Sequence, residues 1–431
     1  MAYTLYIPLV ELEIPIADFR MKVLAWAQKF PLVASYTSNG VAYPYQGFDE
    51  LIAVSSGEPL LWDHENMFEE LQQKLATQQH LWCGYLGYDL KNQVEKLSSG
   101  NKDEVGFPAI FFFEPELYLY FQKEGINIYS KDGNIENILQ EIHATSIPEK
   151  FCALPIKIKQ RVQKEDYLRN VERVRDYIRD GEVYELNYCM EFYAEEVTLS
   201  PLPLYLQLNA LSPTPFSGFL KYGDLYLLCA SPERYLKKEG RKLISQPIKG
   251  TIRRGATPEE DQQLQHQLRH DEKELAENMM IVDLVRNDLR RSCATGTIQV
   301  EEMFGIYGFR QVSQMISTIT GELRPECGIA DALKGAFPMG SMTGAPKIRA
   351  MELIEELEVS KRGLYSGAFG YLKPNQDFDF NVVIRSLQYN ATTGYLSFMV
   401  GSAITYDSVP EQEYEECLLK AQGIRKALGL E

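Results

Sequence analysis

Apolar residues recur at helical spacing after Glu165, at Tyr167, Val171, Val174 and Ile178, and the run ends at Gly181. This predicts a helix closed by a glycine. Thr257-Pro258 opens a longer one, with threonine as N-cap, proline at the first helical position and acids in the first turn, and its pattern continues to about Leu289. Further helices are predicted over Met67 to Leu75, Lys347 to Glu356 (with Pro346 as its first residue) and Pro410 to Leu428. Strand-like runs lie at Ile110 to Phe113, Leu117 to Phe121, Val183 to Tyr193, Leu225 to Cys229, Lys242 to Ile244, Ser366 to Leu372, Val382 to Tyr389 and Tyr395 to Val400. Strands and long helices alternate irregularly. That favours an α/β (α+β) body of large sheets covered by helices over a parallel Rossmann array. The polar stretch Lys150 to Gln163 divides an N-terminal part, 1–150, from a main part, 164–428, the two packing as one body.

Composition narrows the function. With 431 residues, 45% apolar and 24% charged, the chain has the make-up of a soluble globular protein. A net charge of −16 opposes binding to nucleic acid. The start, MAYTLYIPLVELEIP, has no basic n-region, and no apolar run is long enough to span a membrane. Seven scattered cysteines without a CxxC pair suggest neither a disulfide framework nor a zinc site, and a cytoplasmic location is expected.

Two acidic pairs stand out. Glu274 and Glu277 share one helical face, as do Glu413 and Glu416. Two such faces brought together offer the hard oxygen ligands that Mg²⁺ prefers, although any single ExxE is ordinarily a solvated face. In Gly340-Ser341-Met342-Thr343-Gly344-Ala345-Pro346-Lys347, small residues precede a helix start whose free N–H groups suit an anion; an ordinary turn is the plainer reading. Serine replaces the P-loop lysine there. Lys249, between Pro247 and Gly250, becomes a nucleophile if burial lowers its pKa, and is otherwise a surface charge. His266 and His270 read as solvent-facing. There is no GxSxG elbow and no GxGxxG motif.

Read in order, the strings SPERY from Ser231, PIKGT from Pro247, DEKELAENMMIVDLVRNDL from Asp271, GSMTGAPKIRAMELI from Gly340, GAFGY from Gly367, VVIRS from Val382 and EYEECLLKA from Glu413 resemble the chorismate-utilising enzymes. WCGYLGYD from Trp82 is a weaker match. The family comprises anthranilate synthase component I, aminodeoxychorismate synthase component I, and the isochorismate and salicylate synthases. The resemblance implies two stacked β-sheets flanked by helices, with the site between them. It implies Mg²⁺ held by Glu277 and Glu416, with Glu274 and Glu413 in support. It also implies a chorismate site built from Arg385, Tyr371, Thr343, Gly344, Ala345, Lys420, Gly401, Glu185 and Gln314.

Lys249 resembles the aminodeoxychorismate-forming branch, where alanine would mark anthranilate synthases. By that resemblance Lys249 attacks ring C2 while Glu233 protonates the departing C4 hydroxyl, and ammonia then attacks C4 and expels the lysine. Gln314 stands where a family histidine is common. Glu185 replaces a glutamine, or the lysine of isochorismate-forming members, which argues against isochorismate synthesis. No tryptophan-feedback signature is clear around Leu51 to Pro59, so no regulation is expected. No glutaminase elbow occurs in the chain, so a separate glutamine amidotransferase subunit is expected to supply ammonia. Anthranilate synthesis is the alternative activity. A pyridoxal-phosphate enzyme and a non-catalytic binding subunit are remoter ones.

Overall fold

Side-chain alternation along single strands explains the layering. In Leu32–Thr37, residues Leu32, Ala34 and Tyr36 enter one hydrophobic core while Val33 enters another. A computed structural model describes residues 3–62, 66–76, 80–152 and 156–430. Among these, a twelve-stranded sheet and a ten-stranded sheet are each antiparallel. The core between them is rich in aromatic rings from both: Tyr36 and Phe216 from the larger sheet, Tyr85, Phe111 and Phe369 from the smaller. Tyr36 stacks on Phe369 at 4.7 Å. The outer face of the larger sheet is covered by Ile16–Ala27, Lys164–Arg179, Pro201–Leu211, Lys347–Leu357 and Pro410–Ala427. That of the smaller is covered by Met67–Ala76, Glu272–Arg290 and Ile329–Ala336. Two stacked sheets flanked by helices are thus observed, as the family resemblance implied.

The first third of the chain is threaded through both sheets. Leu32–Thr37 pairs with Phe216–Tyr222, and Trp82–Leu86 pairs with Ala368–Leu372. No helix among the described residues is long and apolar enough to cross a membrane. All seven cysteines are free thiols.

Three sequence expectations need correction. The long helix from Pro258 is two helices, Pro258–Arg269 and Glu272–Arg290. Asp271 leaves helical geometry and caps the second by accepting from the Glu274 amide at 3.0 Å, and this local capping outcompetes continuation. The strand expected over Val382 to Tyr389 is also two, Phe378–Val382 in the smaller sheet and Ser386–Asn390 in the larger. Between them the chain crosses the core, turning at Arg385, which has a φ of 52°. Pro346 is the N-cap of Lys347–Leu357 rather than its first residue.

One buried ion pair ties the sandwich to the loop before strand Leu51–Ser55. Arg234, 1% exposed, donates two hydrogen bonds of 2.9 Å to the Asp379 carboxylate. It also donates to the carbonyl oxygens of Pro44 and Gln46 and to the Gln246 side chain. Removing one member of such a pair strands the other in a dry core. Arg234→Met is therefore expected to lower unfolding stability by about 3–5 kcal/mol in urea titrations, and the double variant with Asp379→Leu to recover part of the loss.

Candidate active site

The two glutamate-bearing helix faces meet. Glu277 from Glu272–Arg290 and Glu413 from Pro410–Ala427 are both buried, and the Lys273 ammonium lies 3.8 Å from each. Glu413 also accepts from Ser408 Oγ at 2.7 Å. Glu416 pairs with Lys420 at 2.6 Å, and Lys420 donates to the Gly401 carbonyl at 2.8 Å. Gly401 is required where it stands, since a Cβ would come within 2.5 Å of Cys189 Sγ. Glu274 sits beside strand Ile248–Arg253, which carries the lysine: a Cβ on Gly250 would lie 3.2 Å from its Oε2.

Lys249 points into this cluster. Its side chain is 10% exposed, and Nζ donates to Glu185 Oε1 at 2.5 Å. Asn278 anchors the lysine backbone by donating to its carbonyl at 3.3 Å, and is itself held by Ser317 Oγ at 2.6 Å. Burial alone would lower the lysine pKa, but Glu185 and Glu277 outweigh it and hold the group above its ordinary range. The neutral amine that nucleophilic attack needs is thus opposed by the acids around it.

Five glutamates therefore face three lysines, Lys249, Lys273 and Lys420. Burial, opposed by Lys249, pushes Glu277 up to about 7, and its Oε1 has no hydrogen-bond partner. Glu274 is also raised by burial. Burial would raise Glu416 too, but Lys420 outweighs it and the group lies below its usual range. Among the described residues no three acidic, histidine or cysteine side chains converge as a ready ligand set. What is present fits the Mg²⁺ habit of one or two carboxylates plus retained waters: an orphaned buried oxygen and an excess of negative charge.

The Thr343 to Ala345 loop borders the same space. Gly344 has a φ of 152°, and a Cβ there would lie 2.1 Å from the Glu185 carbonyl, so only glycine permits the approach. Thr343 is fully buried, its hydroxyl donating to Met339 O at 3.0 Å and its carbonyl accepting from the Asn187 amide at 2.8 Å. Ser341 Oγ donates to Glu233 Oε1 at 2.6 Å. Burial pushes Glu233, 4% exposed, up to about 7 against the lowering effects of Ser341 and Lys249.

A cleft with a free interior of about 80 Å³ opens beside these groups, lined in part by Arg385, Lys420, Gln314, Pro232 and Phe309. Gln314 is buried, its Nε2 3.5 Å from Thr251 Oγ1 and its Oε1 unpartnered. The Arg385 guanidinium makes no hydrogen bond or ion pair among the described residues, and burial lowers its pKa against Tyr365 and Glu416. A half-buried arginine held at positive φ with an idle fork is chemically able to receive a carboxylate.

Tyr371 does not join it. Its ring lies in the inter-sheet core against Tyr36 and Phe48, and its hydroxyl accepts from the Asp49 amide at 2.9 Å. Strand alternation turns it away from Arg385, and Tyr365 takes the neighbouring place. Sequence reasoning also missed Arg362. It is 2% exposed, paired with Glu358 at 2.7 Å, and donates to Met342 O at 2.6 Å and Asn187 O at 2.9 Å, so it props the loop from behind. The spacing of Glu358 and Arg362 at i, i+4 was its only signal. His266 and His270 are exposed and stacked on each other at 4.0 Å.

Comparison with known proteins agrees with this picture. Residues 30–426 match the family described as chorismate binding enzyme. The chain is 36% identical over 358 residues to anthranilate synthase component 1 of Thermus thermophilus, covering 80% of this chain and 77% of that one. It is 32% identical over 400 residues to aminodeoxychorismate synthase component 1 of Bacillus subtilis, covering 89% and 84%. The crystal structure of anthranilate synthase component I from Streptococcus pneumoniae superposes with a TM-score of 0.77 at 28% identity, covering 98% of this chain and 92% of that one. Sequence match, fold and the meeting of the acidic faces agree, and the chain belongs to the chorismate binding enzymes.

Proposed function

We propose that this chorismate-utilising enzyme is an aminodeoxychorismate synthase component I. It would convert chorismate and ammonia to 4-amino-4-deoxychorismate for 4-aminobenzoate and folate synthesis, with ammonia supplied by a separate glutamine amidotransferase subunit. The observation that carries the reading is Lys249, an amine buried in the acidic site 2.5 Å from Glu185. An anthranilate synthase has no evident use for it. The comparable likeness to anthranilate synthase component 1 keeps anthranilate formation as the second reading.

In the proposed reaction Arg385 receives the pyruvyl carboxylate, and the Thr343 to Ala345 loop receives the ring carboxylate. Mg²⁺ held by Glu277 and Glu416, with Glu274 and Glu413 behind them, would supply the positive charge that neutralises that carboxylate. Lys249 forms a bond to C2 as the C4 hydroxyl, protonated by Glu233, leaves as water. Ammonia then bonds to C4 and the C2–N bond to Lys249 breaks, restoring the amine.

With chorismate, Mg²⁺ and ammonium, the expected product is one mass unit lighter than chorismate, retains its pyruvyl group and co-elutes with a 4-amino standard. Lys249→Ala should abolish it by about three orders of magnitude while leaving the circular dichroism spectrum intact. Anthranilate and pyruvate would instead establish the second reading.

Glu233 must be protonated to act, and its pKa lies at about 7. The acid form is present below that value and lost above it, so kcat should fall as pH rises through neutrality. Glu233→Gln is expected to lower kcat by roughly 10²–10⁴-fold and to flatten that limb.

Metal binding is read without turnover. Calorimetric titration with Mg²⁺ should show one site, weakened by about tenfold or more in Glu277→Gln. Unchanged affinity in that variant would remove Glu277 from the ligands.

A further inference from the structure

Behind Glu233 lies a second space that the reaction above does not use. It is a small pocket lined in part by Glu233, Ser341, Ser245, Asp288, Val285 and Ala336. It shares no lining residue with the cleft of Arg385 and Lys420, and the two meet at Pro232-Glu233. Its free interior is about 20 Å³, room for a single water.

Asp288 faces this cavity from helix Glu272–Arg290 and is 2% exposed. One carboxylate oxygen, Oδ2, accepts from Lys347 Nζ at 2.6 Å. The other, Oδ1, is buried with no partner. An unpaired carboxylate oxygen in a dry wall is costly, and a bridging water relieves it. Lys347, which also donates to Pro338 O at 2.8 Å, faces Asp288 from helix Lys347–Leu357. Tyr235 lies beside it, its hydroxyl donating to Leu333 O at 2.6 Å. Toward the surface stand Arg291 and Glu95, paired at 2.8 Å and 40% and 17% exposed. Burial pushes Asp288 up to about 6 against the pull of Lys347, so the group can both accept and release a proton near neutrality.

We infer that Asp288 and a water in this cavity form the route by which Glu233 regains its proton from solvent after each turnover. The inference rests on Glu233 acting as the acid at C4. The balance requires such a supply. Glu233 gives its proton to the C4 hydroxyl, which departs as water. Ammonia brings three hydrogens to C4, and the product amine leaves as an ammonium, more basic than Glu233, with the Lys249 amine restored. One proton per cycle must therefore come from solvent. The proposed path does not cross the substrate: it runs from solvent on the side of Arg291 and Glu95 to Asp288, then through the cavity water to Glu233. Asp288 touches neither substrate nor reacting atoms, so it is a positioning and relay residue rather than a catalytic one.

The test compares one turnover with many, following chorismate consumption with Mg²⁺ and saturating ammonium. In Asp288→Asn, with enzyme in excess and Glu233 mostly protonated at pH 6.5, the single-turnover rate should stay within about twofold of wild type. The steady-state rate should fall by about tenfold or more. Ala336→Val, which fills the cavity and leaves both carboxylates in place, should show the same split, and it decides the matter if the asparagine variant does not fold. Both rates falling together, or neither changing, would overturn the relay. Because consumption is the readout, product identity tests the amination reading separately, and a wild type that consumes no chorismate would overturn both.

Discussion

The 2.5 Å contact between Lys249 and Glu185 sets the terms for the rest of the site. A lysine buried by itself loses its charge, and a glutamate buried by itself gains a proton. Here Glu185 holds the lysine in its charged form, and Glu274, Glu277, Glu413 and Glu416 add to the acids around it. The fold has to supply counter-charges, and it does so from the same helices that carry the acids: Lys273 one residue before Glu274, and Lys420 one turn after Glu416. The remaining excess is negative, which suits a cation and repels a dianion. Under the proposed reading the field therefore has two uses. It assembles a positive centre to which chorismate can be drawn, and until that centre forms it keeps Lys249 protonated and unreactive.

Much of this could be read in the chain beforehand, and the exceptions share a cause. The ExxE faces and the glycine of the Thr343 to Ala345 loop were legible because each depends on spacing or on a backbone that only glycine tolerates, whereas the strand Ile248–Arg253 that carries Lys249 was not anticipated. The family resemblance supplied the stacked sheets, which irregular alternation alone left open. The misses came where periodicity ran on through a change of partner. Helical spacing continues across His270 and Asp271, yet the aspartate caps a new helix. Strand spacing continues across Val383 to Arg385, yet the chain leaves one sheet for the other. Tyr371 was misplaced for a related reason: a strand residue next to a functional segment points either into the site or into the core, and only the register with Cys83 and Asp379 decides which. Buried groups defined by distant partners, such as Arg362 and the Asp288–Lys347 pair, had no comparable signal.

The crossing at Arg385 shows how architecture becomes chemistry. A residue inside a regular strand has its neighbours fixed by the ladder. One that carries the chain between two sheets at positive φ belongs to neither, and its guanidinium makes no hydrogen bond or ion pair among the described residues. The strain is held from both sides: the Ala230 amide donates to the Arg385 carbonyl at 3.1 Å, and the Val383 amide to Gly367 at 2.8 Å. An arginine thus anchored loses little further freedom on binding a carboxylate, because the folding of two sheets has already ordered it.

Glu233 occupies the corresponding position for protons. Its backbone carbonyl accepts from the Val382 amide at 3.0 Å, on the strand that leads into the crossing, so the acid and the arginine are placed by one continuous stretch of chain. On one side its neighbour Pro232 forms part of the wall of the cleft that holds Arg385 and Lys420. Behind it lies a small cavity lined by Asp288, one of whose carboxylate oxygens has no hydrogen-bond partner. Under the proposed reading, that placement lets the acid serve its substrate from one side and regain its proton from the other. A buried acid in a field this negative needs that separation if it is to be recharged without discharging its neighbours.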